Sequence, residues 1–454
     1  MFEPKARTGV VRALDDVRAP TTTPVEPLAQ RPLLGKEGSF FPSFSSLLAM
    51  ASTRREFLRI SALASTLLLV PKFLHALDRG PGLTRLGDAP GARRLIVVQL
   101  SGGNDGLNTV VPYKNDLYYK ARPTLGLKET DGLLALDKDL ALHPALKGLK
   151  GLYDQGHLAV LNSVGYPNPD RSHFRSMDIW QTGSGSDQLV STGWLGRYLD
   201  SNCPDCQRPY NALEIDDTLS LAMKGNIRKG LAFKNPEKFH QLNQNRFLSK
   251  VSKETAPEHQ AQVDYLYKTL AETASSADYL YDKSKIYKSA VTYPNTDFGR
   301  NLKTTAELIT SGVESRVYYL ALTGFDTHVR QQEQQQRLLT DLGDGLAALA
   351  DDLKKNNQWD NTLVLVFSEF GRRVSQNASN GTDHGTANNV FLAGGGLQKK
   401  GVINDAPDLV NLDQGDLRHQ VDFRSIYATV LKDWLGADDT AILGTGFERM
   451  SGLV

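Results

Sequence analysis

Cysteine is nearly absent: Cys203 and Cys206, in Cys-Pro-Asp-Cys, are the only two in 454 residues. A second cysteine pair to complete a four-thiolate zinc site is therefore lacking, and the motif is left as a redox pair, half of a mixed site or a local disulfide, the last preferred for an exported chain. Neither sign of charge is in excess. Lys plus Arg number 52 against 51 Asp plus Glu, a formal net charge of +1. With no long basic run, nucleic acid is not expected as a partner. Long apolar runs are also missing near the N-terminus. The run at 60–70 has 11 residues, too short to cross a bilayer as a helix, so no stable membrane span is expected. The glycine-rich turn at 101–106 is not followed by Gly-Lys-Ser/Thr, which excludes a P-loop.

What is present begins with an address. Residues 1–49 contain several prolines and no clear periodicity, and read as a disordered or non-native extension ahead of a second start at Met50. Arg54-Arg55 then precedes the short apolar run, the pattern of a twin-arginine export signal over 50–76. The translocase of that route is the expected partner during export, and the mature protein is expected in the periplasm or outside the cell. After a linker at 77–92, one large domain is expected over 93–454.

Within it, β-branched and apolar runs of strand length alternate with helical patterns. Strands are expected at 95–100, 158–164, 317–322, 362–367 and 390–393. Helices are expected at 174–181, within 246–290, at 300–310, from the glutamine cluster at 331–336 onward, and at 425–435. The glutamines read as a solvated first turn. Such alternation predicts an α/β fold, a mainly parallel sheet sandwiched by helices. Ligands of such sheets bind beyond the carboxyl ends of the strands.

Those ends carry the polar residues. Asp105 follows the first strand, Ser172 and His173 the second, and Asp326 and His328 the third. Glu369 follows the fourth, and Asp383-His384 precedes the fifth. Three of only nine histidines fall in these loops. Taken singly, each has a plain structural alternative: Asp105 in a tight turn, Ser172 as a helix N-cap, Asp326 as a cap, His328 and His384 as hydrogen-bonded loop residues. Taken together they suit a divalent metal ion, with zinc preferred for mixed Asp, Glu and His ligands and calcium, magnesium or manganese where carboxylates dominate. Asp326, His328 and His384 would form one position, and Asp105 with Glu369 a neighbouring one. Ser172, beside His173, is the candidate nucleophile.

The segments SGGNDGLNTVVPY (101–113), RSHFRSMDIWQTG (171–183), GWLGRYLD (193–200), GFDTH (324–328), SEFGR (368–372) and GTDHGTANNVFLAGGG (381–396) resemble the domain-of-unknown-function 1501 family of exported bacterial proteins. Members of that family look like distant relatives of the alkaline phosphatase and sulfatase superfamily. The resemblance implies an alkaline-phosphatase-like fold and metal-assisted hydrolysis of phosphate or sulfate esters, small or polymeric. It also implies two departures: no sulfatase-type cysteine is present, and Phe370 stands where the superfamily has a metal-binding His. A non-catalytic binding or scaffold protein on the same fold is the alternative.

Overall fold

The computed structural model describes residues 93–202, 208–244 and 261–454; for residues 202 and 261–270 it describes the backbone alone. The export signal, the linker, and Cys203 and Cys206 lie outside the described residues, as do the side chains of 261–270.

The longest strands are the apolar runs. β1 (Arg94–Ser101), β2 (Leu158–Gly165), β5 (Val317–Thr323), β6 (Thr362–Ser368) and β7 (Asn388–Gly394) form the body of a nine-stranded sheet. Shorter strands complete it: β3 (Ala212–Glu214), β4 (Leu231–Ala232), β8 (Gly401–Val402) and β9 (Val421–Asp422). The spatial order is β8-β2-β7-β6-β1-β5-β3-β4, with β9 also on β2.

Alternate residues of β1 face opposite layers, as the pleat requires. Ile96, Val98 and Leu100 enter a core with α1 (Lys147–Asp154), α5 (Asp297–Thr310) and α6 (Gln331–Lys355), whose stripe Leu338, Leu342, Leu346, Leu349 and Leu353 recurs at helical spacing. Leu95 and Val97 enter a second core with α2 (His173–Thr182), α3 (Trp194–Asn202) and α7 (Phe423–Thr429). Burial on both faces explains why these strands read as continuous apolar runs. A further helix, α4 (Ala261–Ser284), adds Leu280 to the first core. Among the described residues no helix is long and apolar enough to cross a membrane.

One strand breaks the parallel rule, and the site depends on it. β7 runs antiparallel to both β6 and β2, while β1, β5 and β6 are mutually parallel. No helix lies between β6 and β7, so the connection cannot make the crossover that parallel neighbours need. The start of β7 therefore lies at the edge where β1, β2, β5 and β6 end. Asp383 and His384, which precede β7, meet the loops that follow the other four.

Glu214, at the end of β3, is 4% exposed, and its carboxylate accepts the Ser220 N–H at 2.7 Å. Burial pushes its carboxyl up to about 7. The folded state therefore holds this proton more tightly than the unfolded chain. Stability from this group is greatest below the unfolded carboxyl range and falls as pH rises toward 7. A shift of this size corresponds to about 3 kcal/mol. In urea titrations, Glu214→Gln should gain about 3 kcal/mol relative to wild type between about pH 4.5 and pH 8. A difference that stays constant over that range contradicts the assignment.

Candidate metal centre

The turn after β1 brings its backbone against the loop after β5. Gly102 adopts φ of +118°, and a Cβ there would lie 2.5 Å from the Asp326 backbone nitrogen. Glycine thus permits both the turn and the approach. Arg372, buried in the loop after β6, joins the same segments. It donates to the carbonyls of Gly103 at 2.6 Å, Thr382 at 2.8 Å and Phe325 at 3.0 Å, and to that of Gly102. Its last contact is with Asp326 Oδ1, at 2.8 Å.

Asp326 Oδ1 is also where three imidazoles meet. It lies 3.1 Å from His328 Nε2, 3.4 Å from His384 Nε2 and 3.5 Å from His173 Nε2. The Nε2 atoms of His328 and His384 are 3.0 Å apart. His173, Asp326 and His384 form the one group of ligand type, all within 4.8 Å, found among the described residues; His328 adjoins it.

The outer nitrogens decide what the inner ones are. His173 Nδ1 lies 2.9 Å from Glu369 Oε1, His328 Nδ1 lies 3.1 Å from Asp383 Oδ1, and His384 Nδ1 lies 2.8 Å from the Arg171 carbonyl. All three partners are acceptors only, when the carboxylates are ionised. Each Nδ1 therefore carries the hydrogen, and in its neutral form each imidazole would turn an Nε2 lone pair inward. Three lone pairs and a carboxylate oxygen facing one another repel unless a proton or a cation lies among them. His173 Nε2 is buried with no hydrogen-bond partner. Bonds of about 2.0–2.1 Å to a tetrahedral zinc ion place ligand atoms about 3.3 Å apart, close to the three separations from Asp326 Oδ1 and to that between His328 and His384. The donor set fits a divalent metal ion with imidazole preference.

The electrostatics favour an ionised Asp326 and a neutral His384, and favour the charged form of His173 until a cation takes the place of its proton. Burial works against the Asp326 carboxylate, but the Arg372 hydrogen bond and charge, with His328 and His173, hold its carboxyl below the ordinary value. The Glu369 hydrogen bond raises His173. Burial lowers His384, aided by His173 and Arg372. Hydrogen bonds from Asn377 and His328 hold Asp383 low.

Several sequence-predicted residues take other places. Asp105, expected at a second carboxylate-rich position, is 2% exposed and tied to Arg122 at 2.5 Å and to Gln331. A buried guanidinium already neutralises it. Glu369, fully buried, accepts the Gly102 N–H at 2.8 Å as well as His173, and Asp383 likewise stands behind His328. Both carboxylates orient imidazoles instead of pointing into the group. His173, expected beside the nucleophile, stands within the group itself. Phe370 fills the neighbouring space, with ring centroids 4.7 Å from His173 and 4.9 Å from His384. Ser172 holds the N-cap position of α2, exposed, with no capping bond from its hydroxyl. Sequence reasoning missed Arg372, though it closes the SEFGR segment, and it missed the buried glutamines of α6.

A doubly covered α/β sheet with histidines and an aspartate gathered at its carboxyl edge defines an α/β protein with a candidate metal site there. Its family follows from the chain itself: residues 92–454 match the family described as "Protein of unknown function (DUF1501)", and the chain belongs to it. No curated protein matches the chain. Solved structures similar to it include a sulfatase from Pseudoalteromonas sp., at 12% identity and a TM-score of 0.36, covering 79% of this chain and 70% of that one. A protein in the alkaline phosphatase superfamily from Vibrio parahaemolyticus shows 10% identity and a TM-score of 0.37, over 78% and 71%. A phosphonate monoester hydrolase from Silicibacter pomeroyi shows 12% identity and a TM-score of 0.31, over 78% and 76%.

Gly102→Ala should displace the Asp326 loop, because its Cβ meets backbone and its φ is positive. The expected loss is about 1–3 kcal/mol of stability, measured by chemical denaturation. Wild-type stability in that variant contradicts the close approach.

Proposed function

We propose that this chain is an exported, hydrolase-like protein that holds one divalent metal ion on His173, His328, His384 and Asp326 and acts on phosphate or sulfate esters. The observation that carries the reading is the convergence of three Nε2 atoms on Asp326 Oδ1, each ring with an acceptor behind its Nδ1. Zinc is the preferred ion, since three imidazoles outnumber one carboxylate. A metal bound there supplies Lewis acidity toward an ester oxygen or an acidified water.

The residues of the chain supply the rest. Arg372 offsets the Asp326 charge and fixes the loop that bears it. Glu369, Asp383 and the Arg171 carbonyl hold the imidazole tautomers. Arg171 is itself held by the fully buried Asp416, at 2.9 Å from its Nε. Ser172, whose hydroxyl leaves the helix uncapped and which precedes His173 in the chain, is the candidate nucleophile. Export by way of Arg54-Arg55, through the twin-arginine translocase, and a periplasmic or secreted location belong to the same reading. So does the division into an extension at 1–49, a signal at 50–76, a linker and a domain at 93–454. The substrate class is a small or polymeric ester.

A second reading is favoured by one observation. Phe370 packs against His173 and His384, and Asp105 is taken by Arg122, so a second metal position beside the first lacks ligands. A binding or scaffold protein on this fold would need no nucleophile and no metal.

Metal analysis of untagged mature protein should find about one equivalent of a transition metal. His384→Ala should weaken binding by more than about 100-fold, beyond what loss of an outer partner costs. Protein that takes up no divalent ion after dialysis against zinc contradicts the reading. Turnover of generic phosphate or sulfate esters that depends on the metal and is lost in Ser172→Ala separates the enzyme from the binding protein.

A further inference from the structure

The glutamine cluster that opens α6 is not a solvated turn. Gln331 is fully buried and Gln335, one turn on, is 2% exposed. Arg330, in a left-handed conformation at φ of +44°, turns the chain from the His328 loop into the helix and sends Gln331 beneath it. There the Gln331 amide is fully used. Its Nε2 donates to Asp105 Oδ2 and, at 3.2 Å, to Gln335 Oε1. Its Oε1 accepts from Thr327 Oγ1 at 3.2 Å and from Thr382 Oγ1 at 2.6 Å. Both donors and both acceptor sites are thus satisfied. The amide can sit only one way, because the Asp105 carboxylate accepts only and must face the Nε2 end.

The two threonines are the residues between and beside the proposed ligands. Thr327 lies between Asp326 and His328, and Thr382 precedes Asp383-His384. The Thr382 N–H also donates to the Thr327 carbonyl at 3.2 Å. On the other side, Asp105 is bound to Arg122, whose Nε donates to the Val374 carbonyl at 2.9 Å. A single buried amide therefore joins the loop after β5, the loop before β7 and the turn after β1.

We infer that Gln331 is a positioning residue for the metal centre: through the Thr327 and Thr382 hydroxyls it sets the separation of the two loops that bring His328 and His384 together. The inference rests on the metal reading above, and the experiment keeps their failures apart.

Cobalt(II) is titrated into the full mature chain and followed by its visible absorption, and zinc affinity is measured by competition with a chelator. The variants are Gln331→Met, Thr382→Val and Thr382→Ser, with thermal unfolding of each metal-free protein alongside. Gln331→Met and Thr382→Val should bind zinc about tenfold more weakly or worse, in the range seen when outer-shell support is removed. Their cobalt spectra should change, and Thr382→Ser, which keeps the hydroxyl, should restore both. Wild-type affinity and spectrum in Gln331→Met and Thr382→Val overturn the inference while leaving the metal centre standing. Weak binding that Thr382→Ser does not restore, matched by lost thermal stability in all three, also overturns it, since the role is then only structural. A wild-type chain that shows no cobalt spectrum and no zinc binding removes the metal reading itself.

Discussion

The centre depends on what stands behind each imidazole. A histidine loop at a sheet edge is ordinary; three whose Nδ1 atoms each meet an acceptor are constrained to one tautomer and one ring direction. Glu369, Asp383 and the Arg171 carbonyl impose that constraint on His173, His328 and His384. The imidazoles and their acceptors come from loops that follow β2, β5 and β6 and precede β7. The site therefore exists only when the carboxyl edge of the sheet is assembled. Separated from that edge, no two of the proposed ligands except Asp326 and His328 are near neighbours in the chain.

The surrounding charges are arranged to make this tolerable. Burying carboxylates without partners is costly, and here each has one. Arg122 takes Asp105 and Arg171 takes Asp416, while the buried Arg372 donates to four carbonyls and pairs with the exposed Asp326. Removing Arg122 or Arg171 would leave a buried charge short of its partner, which is worse than never having the pair. The same arrangement consumes Asp105, so the second position that a carboxylate-rich reading suggests does not form around it.

Much of this was legible in the sequence. The five long strands were visible as β-branched runs because both sheet faces are buried, and the leucine stripe of α6 was visible at helical spacing. The polar residues at strand tips marked the right edge and the right loops. Their roles were not legible, because tautomers and partners are set by contacts between residues distant in the chain, from 55 positions for His328 with Asp383 to 196 for His173 with Glu369 and 213 for His384 with Arg171. The direction of β7 was not legible either. An Asp-His pair before a strand belongs at the opposite edge of a parallel sheet, and only the reversal of β7 brings His384 to the others. The buried glutamines misled for a related reason: polarity in a first helical turn usually means solvent, and here it means a fully satisfied amide under two loops. The Cys203 and Cys206 motif and the export signal fall outside the described residues.

X-ray absorption at the zinc edge of the zinc-loaded full chain tests the central claim most directly. The account predicts a first shell of nitrogen and oxygen only, at about 2.0–2.1 Å, with the outer scattering of three imidazoles. A shell dominated by sulfur would place the ion on Cys203 and Cys206. Either that result or an oxygen shell without imidazole would contradict a centre built on His173, His328, His384 and Asp326.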